Sequence, residues 1–117
     1  MKGFKYAISG LKEALITQVN FRFHIIATLI VVCAGLVMEL SEMEWVMIIF
    51  CIGFVIVAEL INTSIEYLVN LVSPEQNLLA GKVKDLAAGA VLIAAITAFV
   101  IGTIIFFPKV MLLLETL

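Results

Sequence analysis

Two carboxylates and an amide stand inside an apolar run of this chain. They are Glu59, Asn62 and Glu66, in the stretch Glu59-Leu60-Ile61-Asn62-Thr63-Ser64-Ile65-Glu66, within a run from about Trp45 to Val72. A charged residue at the centre of a membrane helix costs about 2.5–3.5 kcal/mol on insertion scales, so such residues mark sites that face a protein interior or a watery cleft. At 100° per residue, positions 59, 62, 63 and 66 fall on one helix face, with Leu60, Ile61 and Ile65 off it. With a rise of ~1.5 Å per residue, Glu59 lies ~21 Å from Trp45 and Glu66 ~10 Å beyond it. Against a hydrocarbon core about 30 Å thick, Glu59 is inside the membrane and Glu66 at its surface. One carboxylate at lipid depth and another at the water boundary suit a reaction between a membrane lipid and a soluble charged molecule. A polar seam that only joins helices is the plainer reading. Asn and Thr alone would support it, but two glutamates argue against it.

Phosphoryl transfer is a chemistry that such a boundary could host. It needs a metal to bridge phosphate oxygens, a cation to neutralise developing charge and a base for the attacking hydroxyl. A carboxylate at the water boundary can hold Mg²⁺, which takes one or two carboxylates beside phosphates. Lys84, at the start of the next apolar run, can meet phosphates as a point charge, with Asp85 beside it. A carboxylate desolvated by lipid is a better proton acceptor than one in water. The chain has no Walker-A loop, no kinase glycine-rich loop and no HRD-type catalytic loop. A kinase built on these residues is of an unrelated kind.

The elements that must position these groups are membrane helices. Hydrophobic residues make up 64% of the chain and charged ones 14%, and mean hydropathy is +1.24, far from the composition of a soluble domain. No basic patch points to nucleic acid. Cys33 and Cys51 lie in apolar runs without metal-ligand spacing, and read as packing residues without a disulfide. No cleavable signal peptide is evident before the first apolar run.

Residues 1–20 read as an amphipathic surface helix. Phe4, Ala7, Ile8, Leu11, Leu15 and Val19 lie on one face, and Lys2, Lys5, Ser9, Lys12 and Glu13 on the other. Three spans follow: residues 23–40, lengthened by a snorkelling Arg22; residues 45–72, entered at Trp45 and stopped at Ser73-Pro74; and residues 81–107, ending before Pro108. Residues 108–117 form a tail. His24, at the entrance of the first span, is read as an interfacial residue and given no role. Lys2, Lys5, Lys12, Arg22, Lys82 and Lys84 flank one side of the membrane and Lys109 the other, which makes the N-terminus and the 73–84 loop cytoplasmic. The third span is rich in small residues, which let helices approach closely. A lone subunit would leave Glu59, Asn62 and that small-residue face toward lipid, which predicts an oligomer.

Three blocks carry a resemblance. The run from Glu59 to Glu66, the run Gly81-Lys82-Val83-Lys84-Asp85-Leu86-Ala87-Ala88-Gly89-Ala90-Val91-Leu92 and the weaker Asn20-Phe21-Arg22-Phe23-His24 resemble the signatures of the small bacterial membrane kinases, prokaryotic diacylglycerol kinase and undecaprenol kinase. The resemblance implies an all-α membrane protein: three transmembrane helices plus an N-terminal surface helix, assembled as a homotrimer in the bacterial plasma membrane, with cytoplasmic sites shared between subunits. It implies transfer of the γ-phosphate of ATP to the hydroxyl of diacylglycerol or undecaprenol. Glu59 would be the general base, Glu66 the Mg²⁺ ligand, Lys84 the contact to the transferring phosphate, Asp85 a nucleotide contact and Asn62 a support. Tyr6, Glu75, Gln76 and Asn77 match nucleotide-contacting positions. Gln18 stands where the family has a second metal-binding glutamate, Asn70 where it commonly has aspartate, and Asn77 where it commonly has histidine.

Two other classes of function compete. A proton or ion pathway would need polar residues continuing outward from Glu59, but that face carries Ile52, Val55 and Ile56. A catalytically weakened relative with a structural role is motivated by Gln18 alone.

Overall fold

The computed structural model describes residues 2–117, which form four helices: α1 (Lys2–Thr17), α2 (Val19–Val37), α3 (Glu42–Val72) and α4 (Leu78–Glu115). There is no strand among them. Helices α2, α3 and α4 are each long and apolar enough to cross a membrane. The all-helical expectation and its three spans are met.

Helix α1 buries only Ala14, while Phe4, Ile8, Leu11 and Leu15 on its apolar face remain exposed. Those side chains stay exposed among the described residues, and the face suits a bilayer surface. The chain breaks at Gln18, whose extended backbone (φ −109°, ψ 111°) separates α1 from α2; its N–H still donates to Ala14 O at 2.9 Å and its carbonyl accepts from Arg22 N–H at 3.2 Å, but its side chain does not cap α2. Arg22 holds this corner. Its Nη1 donates to the carbonyls of Leu15 at 2.9 Å and Ile16 at 2.8 Å. These belong to the last turn of α1, whose carbonyls lack intrahelical donors and favour a cation. Arg22 therefore folds back to clamp a corner instead of snorkelling outward. For the same reason α2 begins at Val19 and not near residue 23.

The α2–α3 turn is a tight helical hairpin. Leu40 N–H bonds back to Gly35 O at 3.2 Å, and Glu39 takes the left-handed conformation at φ 52°. This is the Schellman pattern, with a glutamate where glycine is usual. Ser41 and Glu44 then form a reciprocal capping box for α3. Gly35 is required on its own account, because a Cβ there would meet the Trp45 ring at 2.7 Å. Glu39→Gly is expected to stabilise the protein by about 1 kcal/mol by removing the left-handed penalty. A thermal or denaturant unfolding midpoint in detergent that fails to rise would show that Glu39 makes a compensating contact.

Behind the turn, Leu40, Ile48 and Ile105 form the core of this end, packed by Trp45, Ile52, Ile101 and Phe106. Lys109 on α4 pairs with Glu44 on α3 at 3.1 Å. These contacts explain a correction to the third span. Helix α4 does not end before Pro108 but runs through it to Glu115, and residues 108–117 are not a separate tail. Proline removes one hydrogen bond, to the carbonyl four residues earlier. Ile105 before it and Lys109 after it are both fixed against α3, so the helix continues. At its other end α4 starts at Leu78, earlier than residue 81, because the Asn77 side chain accepts from Ala80 N–H at 2.8 Å and caps it. Both cysteines are free. Cys51 is buried as expected, but Cys33 is exposed on the outside of α2.

Candidate functional site

Helix α3 carries the polar face from the membrane interior to its C-terminal end. Glu59 is only 3% exposed and Thr63, one turn on, is 8% exposed. The carboxylate is covered within a single chain, contrary to the expectation that a lone subunit would leave it facing lipid. The cover comes from α2: His24 Nε2 lies 3.4 Å from Glu59 Oε1. Sequence reasoning gave His24 no role. The signal was available in the hairpin, because antiparallel helices joined by a tight turn bring residues roughly equidistant from it to the same depth.

One turn along, Asn62 Nδ2 donates to Glu66 Oε1 at 3.1 Å. Glu66 can only accept, which fixes the amide with its oxygen turned away. Asn62 Oδ1 is thereby left buried without a partner. A buried unpaired oxygen is costly unless a donor or a cation reaches it.

The α1–α2 corner meets α3 beside this pair. Thr17 Oγ1 donates to Glu13 O at 2.8 Å, so its lone pairs accept from Gln18 Nε2 at 3.1 Å and from Tyr67 OH at 3.2 Å. Tyr67 directly follows Glu66, so this network ties Gln18 to the part of α3 that carries the Asn62–Glu66 pair. Gln18 spends its amide nitrogen there, leaving its oxygen outside the network. Glu66, Asn62 and Gln18 each carry an oxygen of the hard type that Mg²⁺ prefers, and the unpartnered Asn62 Oδ1 beside Glu66 is an oxygen that a cation could satisfy. Only one of the three is anionic, and no cluster of three His, Cys, Asp or Glu exists among the described residues.

Past the end of α3, a cavity of about 540 Å³ opens between the 73–77 loop and the first turns of α4. Glu75, Gln76, Lys82, Lys84 and Asp85 line it. The N-terminus of α4, Lys82 and Lys84 can attract anions, while Glu75 and Asp85 on the same lining offset the lysine charge. Lys84 Nζ reaches across to Asn70 Oδ1 at 2.7 Å, linking α4 to α3. Asn77 lies at the rim with both side-chain groups engaged: the oxygen caps α4, and the nitrogen donates to Ser73 Oγ at 2.6 Å. It serves the loop first. Tyr6 stands 70% exposed on α1 and is not brought into these networks.

On the opposite side of Glu59, a second cavity of about 590 Å³ runs between α2, α3 and α4. It starts at Phe23 and His24 and is lined by Ile52, Val55, Ile56 and Phe106 among others. It is an apolar groove with room for hydrocarbon. His24, Thr28 and Thr103 are the polar side chains on its otherwise apolar lining, so it lends no support to a conducting pathway outward from Glu59.

Residues 5–106 match the family model described as prokaryotic diacylglycerol kinase. The chain is 42% identical to "Undecaprenol kinase" of Bacillus subtilis over 108 residues, covering 92% of this chain and 88% of that protein. It is 31% identical to "Diacylglycerol kinase" of Escherichia coli over 100 residues, covering 86% and 82% respectively. It is also 36% identical to "Diacylglycerol kinase" of Helicobacter pylori, covering 81% of this chain and 80% of that protein.

Proposed function

The chain belongs to the prokaryotic diacylglycerol kinase family and is a lipid kinase; we propose that its phosphoryl donor is ATP with Mg²⁺ and its acceptor the hydroxyl of undecaprenol. The observation that carries this reading is the division of labour along α3. A carboxylate only 3% exposed at lipid depth sits on the same face as an oxygen cluster, and that cluster leads to a lysine-lined cavity at the helix end. The polyprenol is favoured over diacylglycerol by the 42% identity to the undecaprenol kinase.

Glu59 takes the proton of the lipid hydroxyl as that oxygen attacks the γ-phosphorus. The apolar groove beside it receives the lipid chain. Lys84 places its ammonium on the transferring phosphate, and Asp85, Glu75 and Gln76 line the nucleotide cavity. Glu66, with Asn62 Oδ1 and Gln18 Oε1, would hold Mg²⁺. When bound, the ion neutralises charge on the phosphate oxygens and orients them. The exposed apolar face of α1 lies on the cytoplasmic leaflet of a bacterial plasma membrane. Gly53, Gly89 and Gly102 have no neighbour within 4 Å of where a Cβ would stand, which leaves room for close helix contacts in a homotrimer with shared sites.

The test is ATP-dependent phosphorylation of undecaprenol against diacylglycerol in mixed micelles. Transfer to neither lipid would sink the reading, and transfer to diacylglycerol alone would overturn the acceptor. The metal set makes a further expectation. Gln18→Glu should lower the half-saturating Mg²⁺ concentration several-fold, because it adds a second anionic ligand, while KM for the lipid stays unchanged. An unchanged Mg²⁺ titration would place Gln18 outside the metal shell.

A further inference from the structure

Each turnover of the proposed reaction leaves a proton on Glu59, and the buried position of that residue raises the question of how the proton leaves. The lipid O–H bond breaks and its proton goes to a Glu59 oxygen. The lipid oxygen bonds to the γ-phosphorus, and the bond from phosphorus to the β–γ bridging oxygen breaks, with its electron pair leaving on ADP. Glu59 must then be deprotonated before the next lipid arrives. Water cannot reach it directly, since its side chain is only 4% exposed. Outward from it, α3 continues with Val55 and Ile56 along the apolar groove, and α4 offers that groove Ala95, Ala98 and Phe99. Within α3, Thr63 is a neutral hydroxyl. The titratable group in contact is His24, at 3.4 Å; at 19% side-chain exposure against 4% it is the more accessible member of the pair, and it stands near the start of α2 at the mouth of the groove.

We propose that His24 is the proton exit of the reactive carboxylate. With Nδ1 protonated, Nε2 presents a lone pair to Glu59 Oε1. The proton passes from the carboxyl to Nε2, and the imidazolium releases its Nδ1 proton to water, leaving Nε2–H donating to the carboxylate. Exchange of the ring protons with water restores the Nδ1–H tautomer before the next turnover. No oxidant or further reactant is needed. His24 acts through Glu59 as a positioning residue and touches neither ATP nor the lipid oxygen. This inference rests on Glu59 being the base.

The test uses the full-length kinase in mixed micelles, with His24→Gln, His24→Ala and Glu59→Gln. Glutamine can hold a hydrogen bond to Glu59 but does not carry a proton onward near neutral pH. Expected is a fall in kcat of about 10²-fold in both His24 variants, with KM for ATP and lipid within about twofold of wild type. Added imidazole should restore part of the kcat of His24→Ala. Because His24 is the only histidine in the chain, its ring-nitrogen NMR signals are unambiguous, and they should shift when Glu59 is replaced by Gln. A His24→Gln variant within twofold of wild-type kcat overturns the relay, as does a loss confined to KM or ring signals indifferent to Glu59→Gln. If Glu59→Gln is inactive while His24→Gln is active, only the relay fails. If Glu59→Gln is itself active, the base assignment fails and takes the relay with it.

Discussion

Glu59→Gln is expected to lower kcat by about 10²–10⁴-fold while leaving KM for ATP within about twofold. That range is what a positioned general base typically contributes. Glutamine has the same shape and can keep the contact to His24, so the loss isolates proton acceptance. Nucleotide binding should be spared, because the lysine-lined cavity lies beyond the end of α3 and Glu59 sits ~10 Å of helix rise before Glu66. Folding should be spared too. Removing one ionisable member of a buried pair is harmful when it strands a buried charge, but here the more buried carboxylate is the member removed and the more accessible His24 remains. The measurement is steady-state kinetics on purified protein in mixed micelles, alongside its oligomeric state. Turnover near wild type would show that another group takes the proton, or that none needs to.

What the sequence revealed and what it hid follow from two kinds of pattern. The three spans and the convergence of Glu59, Asn62, Thr63 and Glu66 were legible because both depend on short-range periodicity in one helix. The helix ends were less legible. By sequence Pro108 reads as a stop, but contacts from Ile105 and Lys109 to α3 hold the helix through it. Arg22 was read as reaching outward, but the carbonyls it satisfies on α1 exist only once the chain breaks at Gln18. His24 was missed because its meaning lies in a residue on the other arm of a hairpin. Asn77 shows a related limit: one side chain can match a ligand-contacting position and yet be engaged by Ser73 and Ala80. Type and spacing located the polar face, and pairing across helices decided which atoms on it remain free.

The second large effect is expected at Lys84. Its ammonium is held at 2.7 Å by Asn70 Oδ1, which is a neutral acceptor. A carboxylate in that place would neutralise the lysine, whereas the amide fixes its position and leaves its full charge for an incoming phosphate. In the proposed reaction, Lys84→Gln removes that charge where negative charge would shift during transfer. Interactions of this kind are worth about 10³-fold or more in phosphoryl transfer, so kcat/KM for ATP should fall by roughly that factor. Asn70→Ala keeps the charge but frees the side chain, and a smaller loss of about tenfold is expected, from poorer orientation. Both residues lie toward water, so part of the Lys84 effect on KM should weaken as salt is raised. The discriminating measurement is the set of kcat and KM values for wild type, Lys84→Gln, Lys84→Arg and Asn70→Ala at two ionic strengths. Arginine carries the charge in a different geometry and should recover part of the loss. If Lys84→Gln loses less than tenfold, or if Asn70→Ala loses as much as Lys84→Gln, the lysine's charge is not what the transferring phosphate meets. The contact to Asn70 would then be a structural link between α3 and α4.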